Sequence, residues 1–323
     1  MANPVGTFQT YQAVGNREDL SNMIYDISPT ETPFTSMAKR GKVSNKYFEW
    51  QTDGLATASA SNAQVEGDTP SNTTVSPTTR LFNVTQILSK TFNISGTQQA
   101  SNPAGRADEL AYQLVKYGKE VKRDMESAFV AANSYRAGTS GTARVSASLE
   151  SWMSTNWTTM SSATSAASPG FSSTGTLAPT DATIQVTVTE ANVKAIIRAC
   201  WTAGGNPDVL MVGPYNKVKV SGFSGILTNS IQQKAGGQAT IIAAADSYVS
   251  DFGTFKVVPS RFNRDRTVCV LDMEYWEIAY LRPFQQVPLA KVGDSEQRMV
   301  IVEAGLKALN EKASGKVTDC ATA

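Results

Sequence analysis

Hydrophobic and polar positions change rhythm along this chain, and the changes mark its elements. Between 103 and 135 apolar residues recur at helical steps, with Leu110, Leu114, Tyr117, Val121, Met125 and Ala128 on one stripe. Asn102 suits the N-cap and Pro103 the first helical position, so the pattern predicts a helix over 103–135. At 1.5 Å per residue it would run roughly 45–50 Å, far longer than average. Lys116 with Glu120, and Lys122 with Glu126, are charge pairs four residues apart. Upstream, Tyr47–Thr52 and Arg80–Ser95 are rich in aromatic, β-branched and Thr residues, which predicts a long β-hairpin across 46–98. Its tip, 54–79, is small and polar with Pro70 and Pro77. A tip that long has no place in a compact domain unless another subunit packs on it.

The remaining pattern fills in around these two. Residues 1–45 are punctuated by Pro29, Pro33 and Gly41 and have few apolar positions, which reads as an extended arm with room for a short helix at 17–27. Residues 137–183 turn abruptly to Ser, Thr, Ala and Gly around Trp152 and Trp157, a surface excursion with a short helix at 149–153. From 184 the chain reads as globular. Thr189 caps a helix that runs through Val193, Ile197 and Cys200 and stops at Gly204-Gly205. A buried strand at 209–212 and a short helix at 215–220 follow, then a glycine-flanked mobile loop between 222–225 and 236–237. Strands are predicted at 240–249, 254–258, 267–271, 276–281 and 298–309, with Gly305 a candidate bulge. The tail from Ala313 is polar and predicted to fray. The class is α+β.

Composition then narrows the chemistry. The chain has 323 residues and no histidine, which closes Ser-His-Asp and Cys-His catalysis and histidine metal sites. Cys200, Cys269 and Cys320 show no C-x-x-C spacing, so neither a disulfide framework nor a zinc site is expected. Cys200 and Cys269 read as small core residues and Cys320 as a free thiol near the terminus. With 29 basic and 28 acidic residues, the net charge of +1 gives no field to draw in nucleic acid or an anionic membrane. The first residues lack the basic and apolar regions of a signal peptide, and no apolar run is long enough to span a bilayer. No phosphate-binding loop, dinucleotide fingerprint or EF-hand pattern occurs, and no cofactor is expected.

Three groups of residues remain as candidates. Asp272 and Glu274, with Glu277 near, would suit acid–base work on a sugar if they faced a cleft. The plainer reading is a solvated turn paired with Arg264, Arg266 or Arg282. Arg261, Arg264 and Arg266 form a basic cluster that suits either a neighbour's acidic patch or an ordinary polar loop. Trp50, Trp201 and Trp276 are core or interface anchors.

The order of these parts, with several stretches of sequence, resembles the major capsid protein of tailed bacteriophages, the Hong Kong 97-type fold, in its podophage-type branch. The stretches are Gly15–Leu20, Ile27–Phe34, Glu49–Asp53, Thr91–Gln98 and Lys119–Ser127. They continue with Cys200–Asp208, Met211–Pro214, Tyr248–Gly253, Leu281–Gln285 and Leu289–Asp294. The resemblance covers nearly the whole chain, loosely only over 137–183. It implies an N-terminal arm at 1–45 and an extended β-hairpin loop at 46–98 lying over the adjacent subunit. It also implies a peripheral domain at 99–188 with its spine helix at 103–135, an axial domain at 189–285, and a return strand and tail at 286–323. Hexamers and pentamers of one chain would close an icosahedral shell around double-stranded DNA. A portal protein, a separate scaffolding protein and a decoration or cement protein are the implied partners. Trp50, Arg80, Phe82, Arg261, Arg264 and Arg266 are the candidate intersubunit contacts. The alternatives are an encapsulin-like cargo shell, a histidine-free carboxylate hydrolase, and a tail or fibre component.

Overall fold

A computed structural model describes residues 28–69, 72–101, 108–160, 166–223 and 247–322. The expected helix at 17–27, the Asn102-Pro103 helix start, residues 240–246 of the expected strand and most of the expected mobile loop lie outside these residues.

The first third holds α1 (Pro33–Met37), β1 (Lys39–Lys42), β2 (Tyr47–Thr52), β3 (Thr79–Val84), β4 (Gln86–Ser95) and α2 (Gly96–Ala100). The arm reading of 1–45 is corrected for its last part. Phe34 is fully buried against Trp276, and β1 pairs in parallel with residues 277–280. Glu126 fixes this entry by accepting the Phe34 and Thr35 amides, each at 2.8 Å. Burial raises its pKa and those two amide bonds oppose the rise.

The hairpin is also shorter than expected. β2 and β3 pair only from Tyr47↔Val84 to Thr52↔Thr79. At Thr85 the chain leaves the hairpin, and β4 joins a different sheet. The buried Thr85 donates its amide to Lys46 O at 2.8 Å and its hydroxyl to Glu303 at 2.9 Å. Asn83 Nδ2 donates to Leu306 O at 2.6 Å. These bonds fix the corner.

The middle third holds α3 (Glu109–Val130), α4 (Leu149–Trp152), β5 (Trp157–Thr159), β6 (Gly170–Ser172), β7 (Gly175–Leu177), α5 (Glu190–Thr202), β8 (Val209–Val212) and α6 (Pro214–Ser221). The spine-length helix has 22 residues, about 33 Å, rather than the span 103–135. Asp108 caps it, accepting the Leu110 amide. It stops because Ala131 turns extended and Asn133 is held by the Ser148 hydroxyl at 2.7 Å. Its stripe packs as the periodicity requires, with Val121 and Met125 buried and Leu110, Leu114 and Tyr117 beside Phe92 and Val302. The two charge pairs along it are replaced by longer-range contacts. Glu120 and Asp124 both reach Lys90 on β4, and Glu126 serves α1. The excursion at 137–183 is not confined to the surface: Ala147, Leu149, Trp152 and Met153 are core residues.

The last third holds β9 (Ser247–Ser250), β10 (Gly253–Pro259), β11 (Val268–Leu271), β12 (Trp276–Pro288), β13 (Ser295–Ala308) and β14 (Gly315–Thr318). One sheet has the order β1-β12-β13-β4, with α3 across it, and another the order β5-β14-β11-β8-β10-β9, with α5 packed on it. Gly305 is no bulge, since it pairs in register with Ala279. It is glycine because a Cβ there would sit 2.6 Å from Val84 O and 2.7 Å from the Phe48 ring. The irregularities fall in β12 between Tyr280 and Gln285, around Pro283, which lacks a ladder donor. The tail does not fray: residues 313–320 are all buried, and β14 lies inside the six-stranded sheet.

Candidate assembly surface

The hairpin joins a fixed base to a free tip. At the base Phe48, Trp50 and Leu81 are buried, Trp50 Nε1 donates to Ala308 O at 2.8 Å, and the Trp50 ring lies 5.4 Å from Trp152. Trp50 is therefore anchored within its own subunit. Phe82 is half-buried, with Tyr47, Tyr135 and Phe171 around it at 5.0–5.3 Å. Arg80 reaches Glu49 at 2.5 Å across the pair and stays largely exposed. Burial, then the adjacent Glu49, push the Tyr47 phenol up to about 12.

Beyond Thr52 and Thr79 the support ends. Every described residue of 53–78 is exposed, including Leu55, Val65 and Val75. Its hydrogen bonds among the described residues are local, such as Asp68 N to Val65 O, or reach back only to Gln51 on β2. A segment with exposed apolar side chains and, among the described residues, no hydrogen bond to its own body beyond β2 is suited to burial against another chain.

The arginine cluster divides. Arg261 is exposed. Arg264 instead binds Glu150 at 2.9 Å and also Asp181, while Arg266 binds Asp319 at 2.6 Å and Asp181 at 3.3 Å. Within this chain these two are more than an ordinary polar loop: they clamp 150–181 onto the C-terminal segment. Lys316, fully buried, completes the clamp by donating to Glu150 O at 2.5 Å. Desolvation lowers Lys316 to about 8 despite the attraction of Glu150, and it raises Glu150 despite Arg264 and Lys316.

Asp272 and Glu274 do not converge on a cleft. Asp272 is buried and accepts the Asn206 and Glu274 amides at 3.0 and 3.1 Å, a helix-capping role. Burial raises its pKa and those bonds oppose the rise. Glu274 is exposed near Lys39, and Glu277 lies near Lys307. The expected arginine partners are engaged elsewhere, Arg282 with Glu303 at 2.8 Å. Among the described residues no cluster of His, Cys, Asp and Glu is arranged to hold a metal, and no helix is long and apolar enough to cross a membrane. All three cysteines are buried thiols. Cys320 lies in the core, and burial pushes Cys200 and Cys320 up to about 12.

Sequence reasoning missed Glu303. This nearly buried carboxylate takes Arg144 at 2.6 Å, Arg282 at 2.8 Å and the Thr85 hydroxyl, at the corner where the hairpin leaves the sheet. The signal was a lone carboxylate in the apolar run Met299–Leu306.

Comparison with known proteins bears on this surface. The model of a family described as SU10 major capsid protein matches residues 4–321. The major capsid protein of Escherichia phage Phieco32 is 28% identical over 357 residues, covering 98% of this chain and 97% of that one. Among solved structures, the capsid of a native GTA particle aligns with a TM-score of 0.64 at 11% identity, covering 97% of this chain and 98% of that one. A chain of Mycobacterium phage Cain aligns at 0.60 with 12% identity, covering 98% and 100%. A holo-SrpI encapsulin complex from Synechococcus elongatus aligns at 0.53 with 10% identity, covering 95% and 93%.

Proposed function

The chain belongs to the SU10 major capsid protein family, and from that premise we propose how its parts divide the work of building a phage head. It is a phage major capsid protein with the Hong Kong 97-type fold, and it forms the capsid shell. The observation that carries the division of labour is the hairpin, rigid at Trp50 and free from Asp53 to Thr78. Such a lever reaches across a boundary and is ordered there by burial between copies, which offsets backbone entropy of about 1–2 kcal/mol per residue. Arg80, and Arg261 on the opposite sheet's loop, are the arginines of the candidate set left for intersubunit contact, with the rim of Phe82.

In this reading α3 and the four-stranded sheet are the peripheral domain, and the six-stranded sheet with α5 and α6 is the axial domain. β14 returns into the axial sheet and ties the two together. Hexamers and pentamers of the chain close the icosahedral shell in the host cytoplasm, with a portal protein, a separate scaffolding protein and a decoration protein as partners. The role is structural, without catalysis. A net charge of +1 suits a wall that encloses double-stranded DNA without gripping it. The encapsulin likeness supports the same fold, while full-length similarity to a phage major capsid protein favours the virion over a cargo compartment.

Electron microscopy of the purified full-length protein tests this reading. Closed shells are expected, and a variant lacking 53–78 should stay unassembled and folded. Shells formed as readily without the tip would overturn the lever. Shells that copurify with an enzyme and form in the absence of any phage component would favour the cargo compartment.

A further inference from the structure

We infer that a groove between α3 and β12 binds the phosphate backbone of double-stranded DNA, without regard to base sequence. This rests on the shell reading, in which DNA is what the shell encloses, and assigns a surface that meets it. A cavity of about 710 Å³ opens under α1 and β1, with Arg40, Lys42 and Lys122 on its wall. A second depression of about 440 Å³ continues along α3 past Lys119, sharing Lys122 and Phe284 with the first. The two form one groove, with Arg40 and Lys42 contributed by β1 and Lys119 and Lys122 by α3.

The charge of this groove is one-sided. Arg40, Lys42, Lys119 and Lys122 are exposed, and none has an ion pair among the described residues. Among the described residues no carboxylate lines either depression. The helix sequence is balanced, with Glu126 four residues after Lys122, yet the fold separates the signs. Glu120 and Asp124 turn to Lys90 on β4, and Glu126 is buried against α1. Four unpaired cations gathered around one groove repel each other until an anion joins them.

Two features select a phosphate backbone over an acidic peptide. Tyr280 and Phe284 on the floor are half-buried and already packed against the chain's own core, so the groove lacks charge rather than an apolar partner. Gln285 and Gln286, both exposed, border the depression beside Lys119 and bring neutral donors of the kind that bond phosphate oxygens. The grip is light. With about four phosphates neutralised, affinity should fall as roughly the 3.6 power of salt concentration. Non-specific binding of this kind has a Kd on the order of 10⁻⁴–10⁻⁶ M at physiological salt. Each copy thus holds DNA loosely, and a chain of net charge +1 still does not clamp it.

Fluorescence anisotropy of a labelled duplex of about 20 base pairs, titrated with the unassembled full-length subunit, tests the site. Wild type should bind duplexes of different sequence alike and lose about a hundredfold in affinity between about 50 and 200 mM salt. Lys119→Glu with Lys122→Glu should weaken binding by at least about tenfold and flatten the salt slope by about 2. Lys119→Arg with Lys122→Arg should keep both the affinity and the slope. Lys256→Glu, at an exposed cation on β10 in the other sheet, should bind as wild type does. In DNA-filled heads, acetylation of Lys119 and Lys122 should be several-fold slower than in empty shells. A reversed pair that loses no more affinity than Lys256→Glu, or equal acetylation in filled and empty shells, would overturn the groove and leave the shell reading standing. A reversed pair that keeps duplex binding but no longer forms shells would assign the groove to a contact between copies, and so overturn it as well. Wild type that binds duplex with the stated slope but never forms shells would keep the groove and fail the shell reading.

Discussion

The hairpin tip and the C-terminal segment are built of similar residues and meet opposite fates. Residues 53–78 and 313–320 are both dominated by small and polar side chains. The tip is exposed wherever it is described, with Leu55 at 102% and Val75 at 90%, whereas every residue of 313–320 is buried. The difference lies in partners. Ser314 accepts the Asp272 amide and Trp276 Nε1, Lys316 donates to Glu150 O, and Asp319 takes Arg266, Thr159 and the Ala182 amide. The tip brings three carboxylates and no cation, and among the described residues Asp53 and Asp68 accept only the amides of Gly54 and Thr69 beside them. Polar composition therefore does not dictate exposure. It dictates that each buried polar group must meet a specific partner, in the same chain or in another.

The contrast is most exposed to test at Asp319. Burial works against its charge, but bonds from Thr159, the Ala182 amide and Arg266 outweigh that and hold its pKa below the usual carboxylate range. Asp319→Ala leaves Arg266 without its closest carboxylate. The expected loss is about 3 kcal/mol, the low end for breaking a buried pair because Arg266 keeps some water contact. Urea denaturation of the unassembled subunit measures it. A loss near zero would mean that the segment is held by packing of Val317 and Cys320 alone.

Lys316 gives a pH signature of similar size. Its folded pKa of about 8 lies below the usual lysine value of 10.5. Between these values the unfolded chain binds more protons, so this group's contribution to stability rises with pH through the window. Below pH 8 the full cost of burying the ammonium is present. Wild type measured against Lys316→Met should therefore gain as pH rises from 8 to 10.5, by at most about 3 kcal/mol. A flat difference would show that Lys316 keeps an ordinary pKa in the fold. Ser314→Ala should cost less, about 1–3 kcal/mol, for leaving the Asp272 amide and the Trp276 indole without an acceptor. Thermal unfolding of the same subunit reads that change.

The sequence made some of this legible and hid the rest for physical reasons. Periodicity placed α3, α5 and the strands from 209 to 271, because those elements bury one continuous apolar stripe or run. It overran the C-terminal end of α3, where Asn133 acts through an individual hydrogen bond that leaves no period, as does the Asp108 cap. It merged β3 with β4, since the corner at Thr85 is made by Glu303, over two hundred residues away. It released the tail to solvent, because polar residues were judged without sight of Glu150, Arg266 and Asp272. Of the candidate contacts, Trp50, Arg264 and Arg266 act as fasteners within the chain, a role that a linear reading does not reveal. The order of hairpin and long helix was legible because a long polar tip between two strand-like runs is rare in a self-contained domain.

The smallest effect on the subunit is expected where the effect on assembly is large. Leu55, Val65 and Val75 are 102%, 76% and 90% exposed, so within one chain they have no burial to lose. Replacing all three with Ser should change the stability of the unassembled subunit by less than about 0.5 kcal/mol. If the tip is buried between copies in a shell, removing these three side chains should lower shell yield. Stability falling by more than about 1 kcal/mol would mean that the tip already packs on its own body. The tip and the C-terminal segment would then be alike, both buried at home, and the lever would have no free end to reach with.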